Sequence, residues 1–103
     1  MTKTLPMTAD QVQIELALVP GWALVDGVIR RRFAFDNFHQ TMAFVNAVAF
    51  IAHQQDHHPD LAVGYGECTL RYVTHSVGGL SRQDFICAAR VNALLAADKP
   101  DSP

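Results

Sequence analysis

Half of the 103 residues are apolar and only 17% are charged, a globular composition far from the disordered regime. A net charge of −2 and an isoelectric point near 6.1 leave no basic field for a polyanion, so no direct nucleic-acid binding is expected. The length fits a single domain over residues 1–103, with a core modest enough that self-association is a natural source of extra stability.

Met1–Pro6 has no apolar h-region, so no secretory leader is expected. Thr8-Ala9-Asp10-Gln11 reads as a capping box, with Met7 and Val12 set as a hydrophobic staple. The helix that follows puts Val12 and Leu16 on one face and is expected to stop at Pro20-Gly21. Asp26-Gly27 then separates two β-rich runs, Trp22–Val25 and Val28–Phe35. This is a strong hairpin signal, because a type I′ turn needs positive φ at both central residues. Ile29, Phe33 and Phe35 share one face of the second strand and Arg30 and Arg32 the other, while Arg31 breaks the pattern on the apolar side.

Asp36 or Asn37 caps a second helix, in which Phe38, Met42, Val45, Ala49 and Ala52 recur at helical spacing and mark the expected buried face. Its most apolar stretch, Met42–Ala52, is interrupted by Asn46 and is too short to cross a bilayer. The helix must end near Asp56, because Pro59 disfavours helical geometry at His58. Leu61–Tyr65 and Cys68–Thr74 read as a second hairpin around Gly66-Glu67. Cys68, Leu70 and Tyr72 face one way in it, and Thr69, Arg71, Val73 and His75 the other. After a Gly78-Gly79 loop, Ser81-Arg82-Gln83-Asp84 repeats the capping-box pattern, with Leu80 and Phe85 as staple. The third helix runs to about Ala97, and Asp98–Pro103 is a polar tail. The order α-β-β-α-β-β-α predicts an α+β fold, a four-stranded antiparallel sheet with helices packed on one face. Cys68 and Cys87 form no motif and read as reduced thiols, which points to the cytoplasm.

Five histidines are many for so short a chain. His57-His58-Pro59 sits where a helix breaks, so both imidazoles can project into a cleft at its end, and His75 closes a strand before a glycine loop. Ends of regular elements are rigid platforms for catalytic groups, and histidine exchanges protons near neutral pH. His53 and His57, four apart, would share a face of a continuous helix and could chelate zinc, with His58 or His75 as a third ligand. No His-Glu-x-x-His pattern supports this, the cysteines are not spaced as ligands, and no metal is expected. Neither a serine elbow nor a phosphate loop is present.

The spacing resembles the signature of the pterin-4a-carbinolamine dehydratases. His53 is followed after three residues by His57-His58-Pro59, after five more by Tyr65, after nine by His75 and after eight by Asp84. Pro20-Gly21-Trp22, Phe33-x-Phe35 and Thr74-His75…Gly79-Leu80-Ser81 extend the likeness over nearly the whole chain. The resemblance implies the same α+β sandwich and the loss of water from 4a-hydroxytetrahydropterin to give quinonoid dihydropterin. It implies that His57 and His75 act as acid and base, that His58 holds the pterin, and that neither metal nor redox cofactor takes part. Trp22, Asp84 and His53 would belong to the substrate-binding set. Family members often carry glutamate at the position of His53, so a carboxylate facing the pterin edge would be missing here. The family forms dimers and tetramers, so a homodimer or homotetramer is implied. The rival implication is a non-catalytic pterin-binding or protein-partner member, a coactivator or assembly factor.

Overall fold

The computed structural model describes residues 5–98. The first four residues and the polar tail from Lys99 onward lie outside them, and with them part of the leader and tail expectations.

Thr8 caps the first helix as its sequence requires. Its hydroxyl accepts from the Gln11 amide at 3.2 Å, and its own amide donates to Gln11 Oε1 at 2.8 Å. Helix α1 covers Ala9–Leu16 and seats Val12 in the core. It ends before Pro20-Gly21 is reached. The Leu18 and Val19 amides bond the Glu15 and Leu16 carbonyls, and these tighter turns draw Val19 into the core.

Strands β1 (Ala23–Val25) and β2 (Val28–Ala34) form the expected hairpin, with φ of 51° at Asp26 and 80° at Gly27. Strands β3 (Asp60–Val63) and β4 (Glu67–Tyr72) form the second hairpin, and the sheet is antiparallel in the order β1-β2-β4-β3. At its centre Ile29 pairs with Tyr72, Arg31 with Leu70 and Phe33 with Cys68. Ile29, Leu70, Tyr72 and Cys68 are fully buried, and each large apolar side chain so placed contributes about 1.5–3 kcal/mol.

Helices α2 (Phe38–Gln55) and α3 (Arg82–Asp98) cover the apolar face of the sheet. Asn37, not Asp36, is the α2 N-cap, accepting from the Gln40 amide at 2.8 Å. The buried stripe of α2 is Thr41, Phe44, Val48 and Ile51, one position away from the expected one. Phe38 is 50% exposed and Ala49 is exposed as well. A helix apolar nearly all round does not declare its inner face, and the sheet selects it. Arg31 shares the apolar face without a carboxylate partner among the described residues. Its guanidinium lies 4.6 Å over the Phe33 ring and donates to Asn92 Oδ1 at 2.6 Å and the Pro20 carbonyl at 3.1 Å. Among the described residues no helix is long and apolar enough to cross a membrane.

Candidate active site

His57 owes its place to the way α2 ends. Asp56 adopts the left-handed conformation, φ 49°, and its amide bonds the His53 carbonyl while the His57 amide reaches back to the Ala52 carbonyl at 3.0 Å. This pair of bonds is a Schellman motif, with aspartate where glycine is usual. The chain leaves the helix sharply and Pro59 is buried beyond it. The continuous helix that a His53–His57 chelate needs therefore stops before His57.

The two adjacent imidazoles differ in burial. His58 is exposed. His57 turns inward, with 14% of its side chain accessible, and its ring stacks on Tyr72 at a centroid distance of 5.9 Å and an interplanar angle of 14°. Its Nε2 lies 2.6 Å from Oδ1 of Asp84, a residue with no exposed surface. A carboxylate only accepts, so Nε2 carries the hydrogen. In the neutral ring Nδ1 is then the free acceptor.

Asp84 sits in the first turn of α3, and its Oδ2 accepts from the Ser81 amide at 2.9 Å and from the Thr74 hydroxyl at 2.8 Å. Half of the expected capping box forms. The Ser81 hydroxyl, which should cap the Asp84 amide, bonds Thr74 Oγ1 at 2.6 Å instead. Both carboxylate oxygens are occupied and buried, so Asp84 reaches a ligand only through His57 and is not a direct substrate contact.

His75 is not the end of a strand. Strand β4 stops at Tyr72, and His75 opens a single 3₁₀ turn, His75–Val77, capped by Gly78 at φ 72°. The Thr74 and Gly79 backbones close that turn as an isolated bridge and leave His75 exposed. His53 is exposed on the last turn of α2. Trp22 is a core residue, only 6% exposed, packed on Phe33 and Tyr72 with its Nε1 donating to Asn92 at 2.9 Å. Of the expected substrate-binding set, Trp22 and Asp84 are buried and His53 is exposed, as are His58 and His75. A cavity of about 490 Å³ lies between α2 and α3, and its lining holds no histidine.

Beneath His57, burial pushes the Cys87 thiol from 9.0 up to about 11, helped by the Asp84 charge. The Tyr72 hydroxyl is pushed up by burial first, then by Cys87 and Asp84, and it has no hydrogen-bond partner of good geometry. Both groups are therefore neutral floor beneath the imidazole.

The family profile described as Pterin 4 alpha carbinolamine dehydratase matches residues 5–94. The chain belongs to the pterin-4a-carbinolamine dehydratase family. A protein of Nitrosomonas eutropha described as "Putative pterin-4-alpha-carbinolamine dehydratase" is 60% identical over 78 residues, 76% of this chain and 69% of its own length. One from Bdellovibrio bacteriovorus with the same description is 49% identical over 92 residues, 85% of this chain and 77% of its own. Among solved structures, a transcriptional coactivator/pterin dehydratase from Brucella melitensis superposes with a TM-score of 0.83 at 30% identity, covering 86% of this chain and 97% of that one. A pterin dehydratase-like protein identified as a RuBisCO assembly factor in the alpha-carboxysome gives 0.58 at 27% identity, over 71% and 84% of the two chains.

The dehydratase fold thus joins His57 to Asp84 across 27 positions of sequence. Thr74, the second side-chain partner of Asp84, is the residue whose role sequence reasoning missed. Its position directly before His75 was the available signal, and nothing local shows that its hydroxyl turns back toward α3.

Proposed function

We propose that the protein dehydrates 4a-hydroxytetrahydropterin by histidine acid–base catalysis. The observation that carries this reading is the 2.6 Å contact between His57 Nε2 and the buried Asp84, in a chain that meets every spacing of the family signature. With Nε2–H held by a carboxylate, His57 takes a proton at Nδ1 and the resulting imidazolium faces a fixed counter-charge. His57 removes the N5 proton of the pterin. His75, exposed on its 3₁₀ turn, donates a proton to the 4a-hydroxyl. The C4a–O bond breaks, water leaves, and the N5–H electron pair closes the C4a=N5 double bond. No electrons are exchanged, so the step needs no redox partner. His58 and His53, both exposed near the end of α2, hold the pterin ring. A positioned acid or base is worth about 10²–10⁴-fold in rate.

His57→Ala and His75→Ala test this. Each is expected to lower turnover by about 10²-fold or more with circular dichroism unchanged. Folded variants that keep wild-type turnover remove the assignment. A wild-type protein without turnover leaves the partner-protein reading, which the coactivator and assembly-factor neighbours represent.

A further inference from the structure

We propose that Thr74 is a positioning residue: its backbone holds the His75 turn while its hydroxyl holds the carboxylate that orients His57. The kinetic consequence rests on the dehydratase reading; the structural one does not.

Thr74 follows the last residues of β4 in an extended conformation, φ −110° and ψ 96°. Its amide donates to the Gly79 carbonyl at 3.0 Å, and the Gly79 amide returns to the Thr74 carbonyl at 3.4 Å. The same carbonyl accepts from the Val77 amide at 3.1 Å. These bonds define the turn that carries His75, and none of them uses the hydroxyl.

The hydroxyl serves the other half of the site. Thr74 Oγ1 lies 2.8 Å from Asp84 Oδ2 and 2.6 Å from Ser81 Oγ. A threonine hydroxyl has a single hydrogen, and a carboxylate accepts without donating. The hydrogen of Thr74 therefore goes to Asp84, and the hydrogen between the two hydroxyls comes from Ser81. A directed chain results: Ser81 to Thr74, Thr74 to Asp84 Oδ2, and His57 Nε2–H to Asp84 Oδ1. Asp84 has no exposed surface, so water does not replace a missing donor without entering the core. Removal of the hydroxyl leaves Oδ2 with the Ser81 amide alone. The carboxylate is then free to rotate about that one bond, and Oδ1 is no longer held against Nε2–H.

Thr74→Val replaces the hydroxyl by a methyl of similar size and leaves the backbone bridge in place. The decisive measurement is the imidazole ¹⁵N chemical shifts of His57 in the labelled protein without any pterin. Wild type and Thr74→Ser are expected to hold one neutral tautomer, with hydrogen on Nε2. Thr74→Val is expected to mix the two. With 4a-hydroxytetrahydropterin as substrate, kcat is expected to fall about tenfold or more in Thr74→Val, with KM little changed and kcat restored in Thr74→Ser. Should Thr74→Val fail to fold, Thr74→Ala against Thr74→Ser makes the same comparison, since those two differ by the hydroxyl alone. Identical His57 shifts with and without the hydroxyl overturn the proposal. If the wild-type protein lacks turnover, the dehydratase reading falls and the tautomer comparison still decides the role of Thr74.

Discussion

Replacing Asp84 by asparagine changes one atom group and should invert the site. Three donors converge on the carboxylate: His57 Nε2 at 2.6 Å, Thr74 Oγ1 at 2.8 Å and the Ser81 amide at 2.9 Å. Asparagine offers one oxygen and one NH₂. The oxygen must face Thr74 and Ser81, because the Ser81 amide has no lone pair to receive the NH₂. The NH₂ then faces His57, whose Nε2 has to accept. The neutral imidazole moves its hydrogen to Nδ1, and the free position becomes a donor where the proposed chemistry needs an acceptor. Two charge-assisted bonds become neutral ones, each weaker by about 1 kcal/mol, and the third is rebuilt with its direction reversed. A total cost of about 2–3 kcal/mol follows, which lowers the melting temperature of a domain this size by roughly 10–20 °C. Turnover should fall by about 10²–10⁴-fold, the worth of a positioned base. The assays are thermal unfolding, ¹⁵N shifts of His57 and dehydration kinetics at a temperature where the variant is folded. Wild-type turnover together with an unchanged tautomer would refute the argument.

Stability should also report on the thiol beneath the site. Cys87 is pushed from 9.0 to about 11 in the folded chain, so the fold favours its neutral form; that contribution is full below about pH 9 and is lost as pH rises toward 11. Urea unfolding across this interval should show stability falling with pH, less steeply in Cys87→Ala, and equal slopes would contradict it. Gly21→Ala should cost about 1–3 kcal/mol in the same assay, because φ there is +91° and a Cβ would stand 2.7 Å from the Arg31 guanidinium, forcing it off Asn92 and Pro20; unchanged stability would remove this role of Gly21. His53→Glu should tighten a pterin analogue by roughly tenfold, since a carboxylate on the exposed last turn of α2 can accept charge-assisted hydrogen bonds from the pterin edge. Equal affinities by titration calorimetry would take position 53 out of the site.

Much of this protein is legible one segment at a time. The capping box at Thr8, the Asp26-Gly27 turn, the end of α2 at Asp56 and the alternation of Cys68, Leu70 and Tyr72 are local matters, governed by backbone conformations and side-chain periods that neighbouring residues set among themselves. The spacing from His53 to Asp84 was likewise readable as a family pattern, and with it the fold. Which stripe of the apolar helix α2 is buried was not, because several stripes are equally hydrophobic and only contact with the sheet distinguishes them. Nor was the division of labour among the site residues. Asp84 has a sufficient local reason to exist as a partial helix cap, and Trp22 looks as suited to a pocket as to a core. Only the packing of α3 against the end of α2 shows that the carboxylate also holds His57 and that Trp22 lies inside. Hydrogen bonds between residues 27 positions apart leave no trace in local sequence, because the energy that selects them exists only after the sheet and helices have closed around them.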